Sequence, residues 1–102
     1  MPDARAVAAM ERLDTDARAV LAILPFEDPG ISTGSLAERA FGMNLLKYRR
    51  RVRECLDHAT WEWGIRIRRF GPRYAMQVRI EPEDRQKRDA VLAEGVKNEQ
   101  TA

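Results

Sequence analysis

Ser35-Leu36-Ala37-Glu38-Arg39-Ala40-Phe41-Gly42 reads as a short helix with both of its ends encoded. Ser35 and Glu38 have the spacing of a capping box: the serine oxygen accepts a free first-turn amide and the glutamate reaches back to the cap. Gly42 is the stop, because a left-handed closing residue is cheapest without a Cβ. Asn44 then stands where a cap would open another helix, reaching about Ala59. With Val52 at the centre of its inner face, Leu45, Tyr48, Cys55, Leu56 and Ala59 fall within about 60° of it. The opposite face carries Met43, Lys47, Arg50, Glu54 and Asp57, while Leu46 and Arg53 lie on one flank and Asn44 and Arg51 on the other. The outward face is thus basic over its first half and acidic over its last, a gradient suited to a helix whose N-terminal half meets phosphate.

Downstream, Trp63, Ile65 and Ile67 alternate with Gly64, Arg66 and Arg68, and Tyr74, Met76, Val78 and Ile80 alternate with Ala75, Gln77 and Arg79. This period of two predicts a two-stranded hairpin. With Gly71-Pro72 at its tip, Ile67 faces Met76, Ile65 faces Val78 and Trp63 faces Ile80. All the apolar residues then share one side, and a one-residue slip would ruin the arrangement. Arg66, Arg68, Arg73 and Arg79 occupy the other side.

Upstream, residues 2–24 are expected to be helical, with Pro2 in the first turn. Leu13, Ala17, Val20, Leu21 and Leu24 share one face, with Ala6, Ala9 and Met10 close to it. Asp14 and Thr15 have capping side chains, and a break is expected there. Pro25-Phe26-Glu27-Asp28-Pro29-Gly30 forms a turn, and Ile31 suits a very short strand. From Glu81 onward the chain is polar. A helix over 83–94 would have only Val91 and Leu92 to dock with, so residues 83–102 are expected to be a polar tail, frayed or weakly held, appended to a domain of residues 1–82.

The chain has 102 residues and a net charge of only +2. That small value conceals a segregation. From Lys47 to Arg79 there are ten basic residues against three acids, a net of +7, leaving −5 for the remainder. Such asymmetry predicts a basic face directed at a polyanion. No apolar run is long enough to span a bilayer, and the N-terminus lacks the features of a signal peptide, so a cytoplasmic protein is expected. The single cysteine, Cys55, excludes an internal disulfide and a multi-cysteine zinc site.

The order helix, short strand, helix, tight turn, helix and arginine-rich hairpin resembles the winged helix-turn-helix family of DNA-binding domains. Residues Ile31–Ile80 carry the resemblance, and Ser35–Gly42 is its strongest piece. One departure is that Ala37 to Gly42 spans five residues where the usual spacing is four, which loosens the turn. The resemblance implies an α+β winged helix-turn-helix fold: a three-helix core that includes an N-terminal helix, with a two-stranded β-hairpin wing. It also implies double-stranded DNA as the partner, with helix 44–59 in the major groove and hairpin 64–80 on the backbone or minor groove.

On that implied docking, Lys47, Arg50 and Arg51 reach base edges or phosphates, with Asn44 at the helix start. Thr33 and Ser35 stand at a helix end that abuts the backbone. Arg66, Arg68, Arg69 and Arg73 belong to the hairpin and neutralise phosphate or enter the minor groove, although the register also lets Arg69 lie over the Tyr74 ring. Trp63 and Cys55 read as core. His58, the only histidine, has no partners for metal or catalytic work, and no nucleophile–base pair or phosphate loop occurs, so no enzyme activity, cofactor or small-molecule substrate is expected. The expected function is that of a small transcriptional regulator or an accessory DNA protein of a mobile element, acting as a homodimer. A winged-helix module that binds protein instead of DNA is the alternative.

Overall fold

Three helices meet on the buried stripe of the helix that follows Gly42. The computed structural model describes residues 3–101, which form four α-helices and one three-stranded antiparallel sheet, an α+β arrangement. In chain order these are α1 (Ala4–Ile23), β1 (Ile31–Ser32), α2 (Thr33–Phe41), α3 (Leu46–Trp63), β2 (Ile67–Phe70), β3 (Gln77–Ile80) and α4 (Arg85–Thr101). Val52, Cys55, Leu56 and Ala59 of α3 are fully buried against Ala17, Val20 and Leu21 of α1 and Leu36 and Ala37 of α2. Ile65, Val78 and Ile80 close the core from the sheet side. Truncating one of these leucines to alanine costs about 2–5 kcal/mol, a large part of the ~5–15 kcal/mol that holds a domain folded. Among the described residues no helix is long and apolar enough to cross a membrane.

The helices differ from expectation at their ends. α1 runs unbroken through Asp14 and Thr15. The Thr15 hydroxyl donates to the Glu11 carbonyl one turn back, and the Asp14 carboxylate turns sideways to Arg18 and His58, so neither side chain is available as a cap. Asp3 caps the helix, accepting from the Arg5 amide, while the predicted role of Pro2 lies outside the described residues. α2 starts three residues earlier than the Ser35 box implies. Ser32, held extended at the end of β1, accepts from the Ser35 amide at 3.1 Å, and Ser35 sits inside the first turn with its hydroxyl 3.0 Å from that of Ser32. The stop at Gly42 is as read, with φ +91° and its amide donating to the Glu38 carbonyl.

α3 is displaced toward its C-terminus. Leu45 occupies the cap position without a side-chain bond, and the Asn44 side chain accepts from Arg49 instead of capping. The helix continues a turn past Ala59 to Trp63, because nothing before the left-handed Gly64 interrupts it. The hairpin therefore starts later and its pairing moves. Ile67 faces Ile80 and Arg69 faces Val78, where the expected partner of Ile67 was Met76. The shift is even, so Ile67 and Ile80 keep the inward side. Residues 71–76 become a connection with one tight turn over Arg73–Ala75, which lifts Tyr74 out to 93% exposure where the alternation had placed it inward. β1 adds a third strand, with Ile31 opposite Val78.

Residues 85–101 are helical. Val91 joins the core, and Arg85 and Arg88 stack on the Phe26 ring at 4.1 and 4.8 Å. The N-terminal end of α4 is tied to the sheet by Asp84, a buried carboxylate that accepts from the Arg66 amide at 2.8 Å and from its guanidinium at 3.0 and 3.1 Å. These bonds hold the Asp84 carboxyl below its ordinary value of 3.8. A depressed carboxylate contributes stability that is fully present above 3.8 and is lost as pH falls through the folded-state value. Urea titrations across the acid range should accordingly show Asp84→Asn less stable than the parent at neutral pH, with the difference closing on acidification. A constant difference at every pH would separate Asp84 from this linkage.

Burial pushes the Cys55 thiol up to about 12. The thiolate is the reactive form, so Cys55 should resist a thiol reagent in native buffer and react fully in denaturant. Fast labelling of the native protein would contradict its burial.

Candidate nucleic-acid interface

A groove of about 700 Å3 runs between the start of α2, the first half of α3 and the β2–β3 connection. Ser32, Thr33 and Gly34 form one wall, Arg73, Tyr74, Ala75 and Met76 the other, and Leu46, Arg49, Arg50 and Arg53 line it from α3, with Asn44 just before that helix. Four of these twelve residues are arginines and none is acidic. None of the four arginines has a carboxylate partner among the described residues, and Arg50, Arg53 and Arg73 have no side-chain hydrogen bond there either, so their charge faces whatever enters the groove. Unpaired guanidiniums held this close repel one another, an arrangement that a polyanion relieves.

The wall formed by α2 brings a helix N-terminus to the groove. Its first-turn amides at Thr33 and Ser35 are taken by the Met76 carbonyl and by Ser32 Oγ, while Gly34, the residue between them, lines the groove. The positive end of the helix dipole sits there, and Thr33, only 9% exposed, also lines this wall. A Cβ at position 34 would come within 2.7 Å of the Asn44 side-chain nitrogen, so a larger residue there would displace the Asn44 side chain. Asn44 thereby packs against α2 on one side, and on the other its Oδ1 accepts from Arg49 at 2.7 Å, which sets the direction of that guanidinium.

Of the residues singled out in the sequence, Thr33, Asn44, Arg50 and Arg73 come together here. Lys47 is exposed one turn earlier on α3, with its ammonium 4.9 Å from the centre of the Tyr48 ring. The others are placed elsewhere. Ser35 is turned to Ser32. Arg51 binds Asp16 of α1 at 2.8 Å and Glu54 at 3.1 Å, joining two helices. Arg66 is committed to Asp84. Arg68 lies over the Phe70 ring, across the strand pair from Arg79, whose own charge is met by Asp28 and Glu81. Arg69 pairs with Asp57 at 2.7 Å on the second half of α3, not with the Tyr74 ring.

Arg49, Arg53 and Tyr74 are groove residues that the sequence reading passed over. The spacing of Leu46, Arg49, Arg50 and Arg53 carries a signal, since these positions repeat at three and four residues and form one continuous ridge. Tyr74 gave none, because its place depends on the hairpin register. His58 is buried on the side of α3 that meets α1, bonded to Asp14 and edge-on to the Trp63 ring. No family model, curated protein or solved structure matches the chain.

The pairing pattern divides the arginines by role. Arg51→Ala should lower the melting temperature, since it severs the α1–α3 link through Asp16, whereas Arg53→Ala, with no partner to lose, should leave it nearly unchanged. Thermal unfolding followed by circular dichroism reads both, and equal losses would erase the distinction.

Proposed function

We propose that this chain is a winged helix-turn-helix protein that binds double-stranded DNA through the groove, with α3 as the recognition helix and the β2–β3 hairpin as the wing. The observation that carries the reading is the lining of four arginines without one acid, three of them unpaired among the described residues. The first half of α3 is the part that fits the major groove. A helix is the right width for that groove, and arginine there can pair bidentately with guanine. Arg50, exposed and on the outward ridge, is assigned to a base edge; Arg53 and Arg73 on either side are assigned to phosphates. Gly34 and Thr33 at the N-terminal end of α2 hold a further phosphate, which fixes the register of α3 on the duplex. The second half of α3 has no lysine or arginine to offer the backbone, and the acids there include Asp57, which already neutralises Arg69. The biological role that fits is that of a small transcriptional regulator or a mobile-element accessory factor, and no cofactor enters the reading.

Salt dependence tests it. Each phosphate contact releases counterions, so log affinity should fall steeply and linearly with log salt. Arg53→Ala and Arg73→Ala should each reduce the slope by about 1 and weaken all sequences alike, whereas Arg50→Ala should relax preference at one position by about 1–3 kcal/mol. Arg69→Ala, already neutralised by Asp57, should leave the slope unchanged. Affinity flat in salt, or no binding to selected duplexes, would overturn the reading and favour a winged-helix module that binds protein.

A further inference from the structure

Arg49 differs from the other groove arginines in being held. Its Nη1 donates to Asn44 Oδ1 at 2.7 Å and leans on the Asn44 carbonyl at 3.5 Å, whereas Arg50, Arg53 and Arg73 have no side-chain hydrogen bond among the described residues. It also differs from the arginines held elsewhere in what holds it. Arg18, Arg51, Arg66, Arg69 and Arg79 are each bonded to a carboxylate, and Arg49 to a neutral amide. An amide fixes the direction of a guanidinium without cancelling its charge. Asn44 is itself set against the first turn of α2, where Gly34 leaves room for its side chain. With Nη1 turned to Asn44, Nε and Nη2 of Arg49 are left without a partner among the described residues. These two nitrogens share one edge of the planar group and present two parallel donors.

We propose that Asn44 is a positioning residue that holds Arg49 in the plane needed to read one guanine, with Gly34 giving Asn44 its place. The proposal rests on the DNA-binding reading above and adds Arg49 to Arg50 as a reader of base edges. Two parallel donors match the O6 and N7 acceptors of guanine, which lie in the plane of the base. A phosphate accepts from many directions and gains little from a guanidinium fixed in one plane, so the fixing favours a base. Ordering before contact also removes part of the side-chain entropy that binding otherwise costs. An acid at position 44 would hold the guanidinium as firmly, but it would bring a negative charge into a groove whose lining has none.

Competition among duplexes of randomised sequence reads the preference at every position. The parent should prefer guanine at one position where Arg49→Ala lowers the preference by about tenfold. Asn44→Ala should lower it at the same position by about threefold and leave the other positions and the salt slope as in the parent. The double variant should be no less selective there than Arg49→Ala. Gly34→Ala should reproduce the loss from the far side of Asn44 while keeping the melting temperature, because alanine suits a helix and the atom it displaces ends a flexible side chain. Nitrogen NMR of the DNA-free protein gives a second measurement: the Arg49 guanidinium should rotate more slowly than those of Arg50, Arg53 and Arg73, and Asn44→Ala should release it. Full preference in Asn44→Ala, a loss at a position other than that of Arg49→Ala, or an Arg49 guanidinium as mobile as its neighbours would overturn the proposal and leave the DNA reading standing. So would a parent that binds every duplex alike. A parent that binds no duplex would overturn the DNA reading and this proposal with it.

Discussion

Everything in this molecule is arranged around the single buried stripe of α3. Val52, Cys55, Leu56 and Ala59 fix the rotation of that helix because one face must leave water and the rest, dense in arginine and carboxylate, must not. Once the rotation is fixed, the ridge of Arg49, Arg50 and Arg53 follows, since a helix allows no independent choice for residues three and four apart. The other elements hold α3 in place. α1 and α2 cover its apolar side, the sheet closes the end of the core, and Arg51 and His58 reach to Asp16 and Asp14 of α1 at the edges.

The same chemistry therefore serves two purposes in one short chain. Arginines that meet an acid act as struts: Arg51 between helices, Arg66 between sheet and α4, Arg69 and Arg79 across the surface. Four arginines that meet no acid among the described residues, Arg49, Arg50, Arg53 and Arg73, are gathered where α2, α3 and the β2–β3 connection converge. A net charge near zero conceals this division. None of the acids lines the groove, so the groove keeps its field.

Much of this was legible in the residues. The α2 stop at Gly42, the buried side of α3, the short strand at Ile31 and the core face of α1 all follow from local rules of period and turn chemistry. What failed depended on contacts distant in sequence. The cap of α2 is Ser32 because pairing of β1 with β3 holds that residue extended. The hairpin register depends on where α3 ends, and α3 runs on to Gly64 because tertiary packing of Trp63 against His58 and Arg18 outweighs the alternation that made it look like strand. The polar segment after Glu81 looked like a tail because its ties are two apolar residues, Val91 and Leu92, and charged side chains at Asp84, Arg85 and Arg88, which no hydropathy pattern scores as core. In the groove, type and spacing pointed to the N-terminal half of α3, but which arginines are unpaired is decided by the acids that the fold brings to the others.

Ser32 has a consequence for the speed and cost of recognition. It is at once the last residue of β1, paired with Gln77, and the cap of α2, while the next amide, that of Thr33, bonds the Met76 carbonyl. The two facing walls of the groove are thus stitched together by main-chain hydrogen bonds, and the gap between them is set before any ligand arrives. An incoming molecule has no backbone to order. It has to immobilise only the arginine side chains, at ~0.5–1.5 kcal/mol each. Under the DNA-binding reading proposed above, encounter proceeds as the docking of rigid bodies guided by long-range attraction, with the lifetime of the complex, rather than its rate of formation, distinguishing one sequence from another.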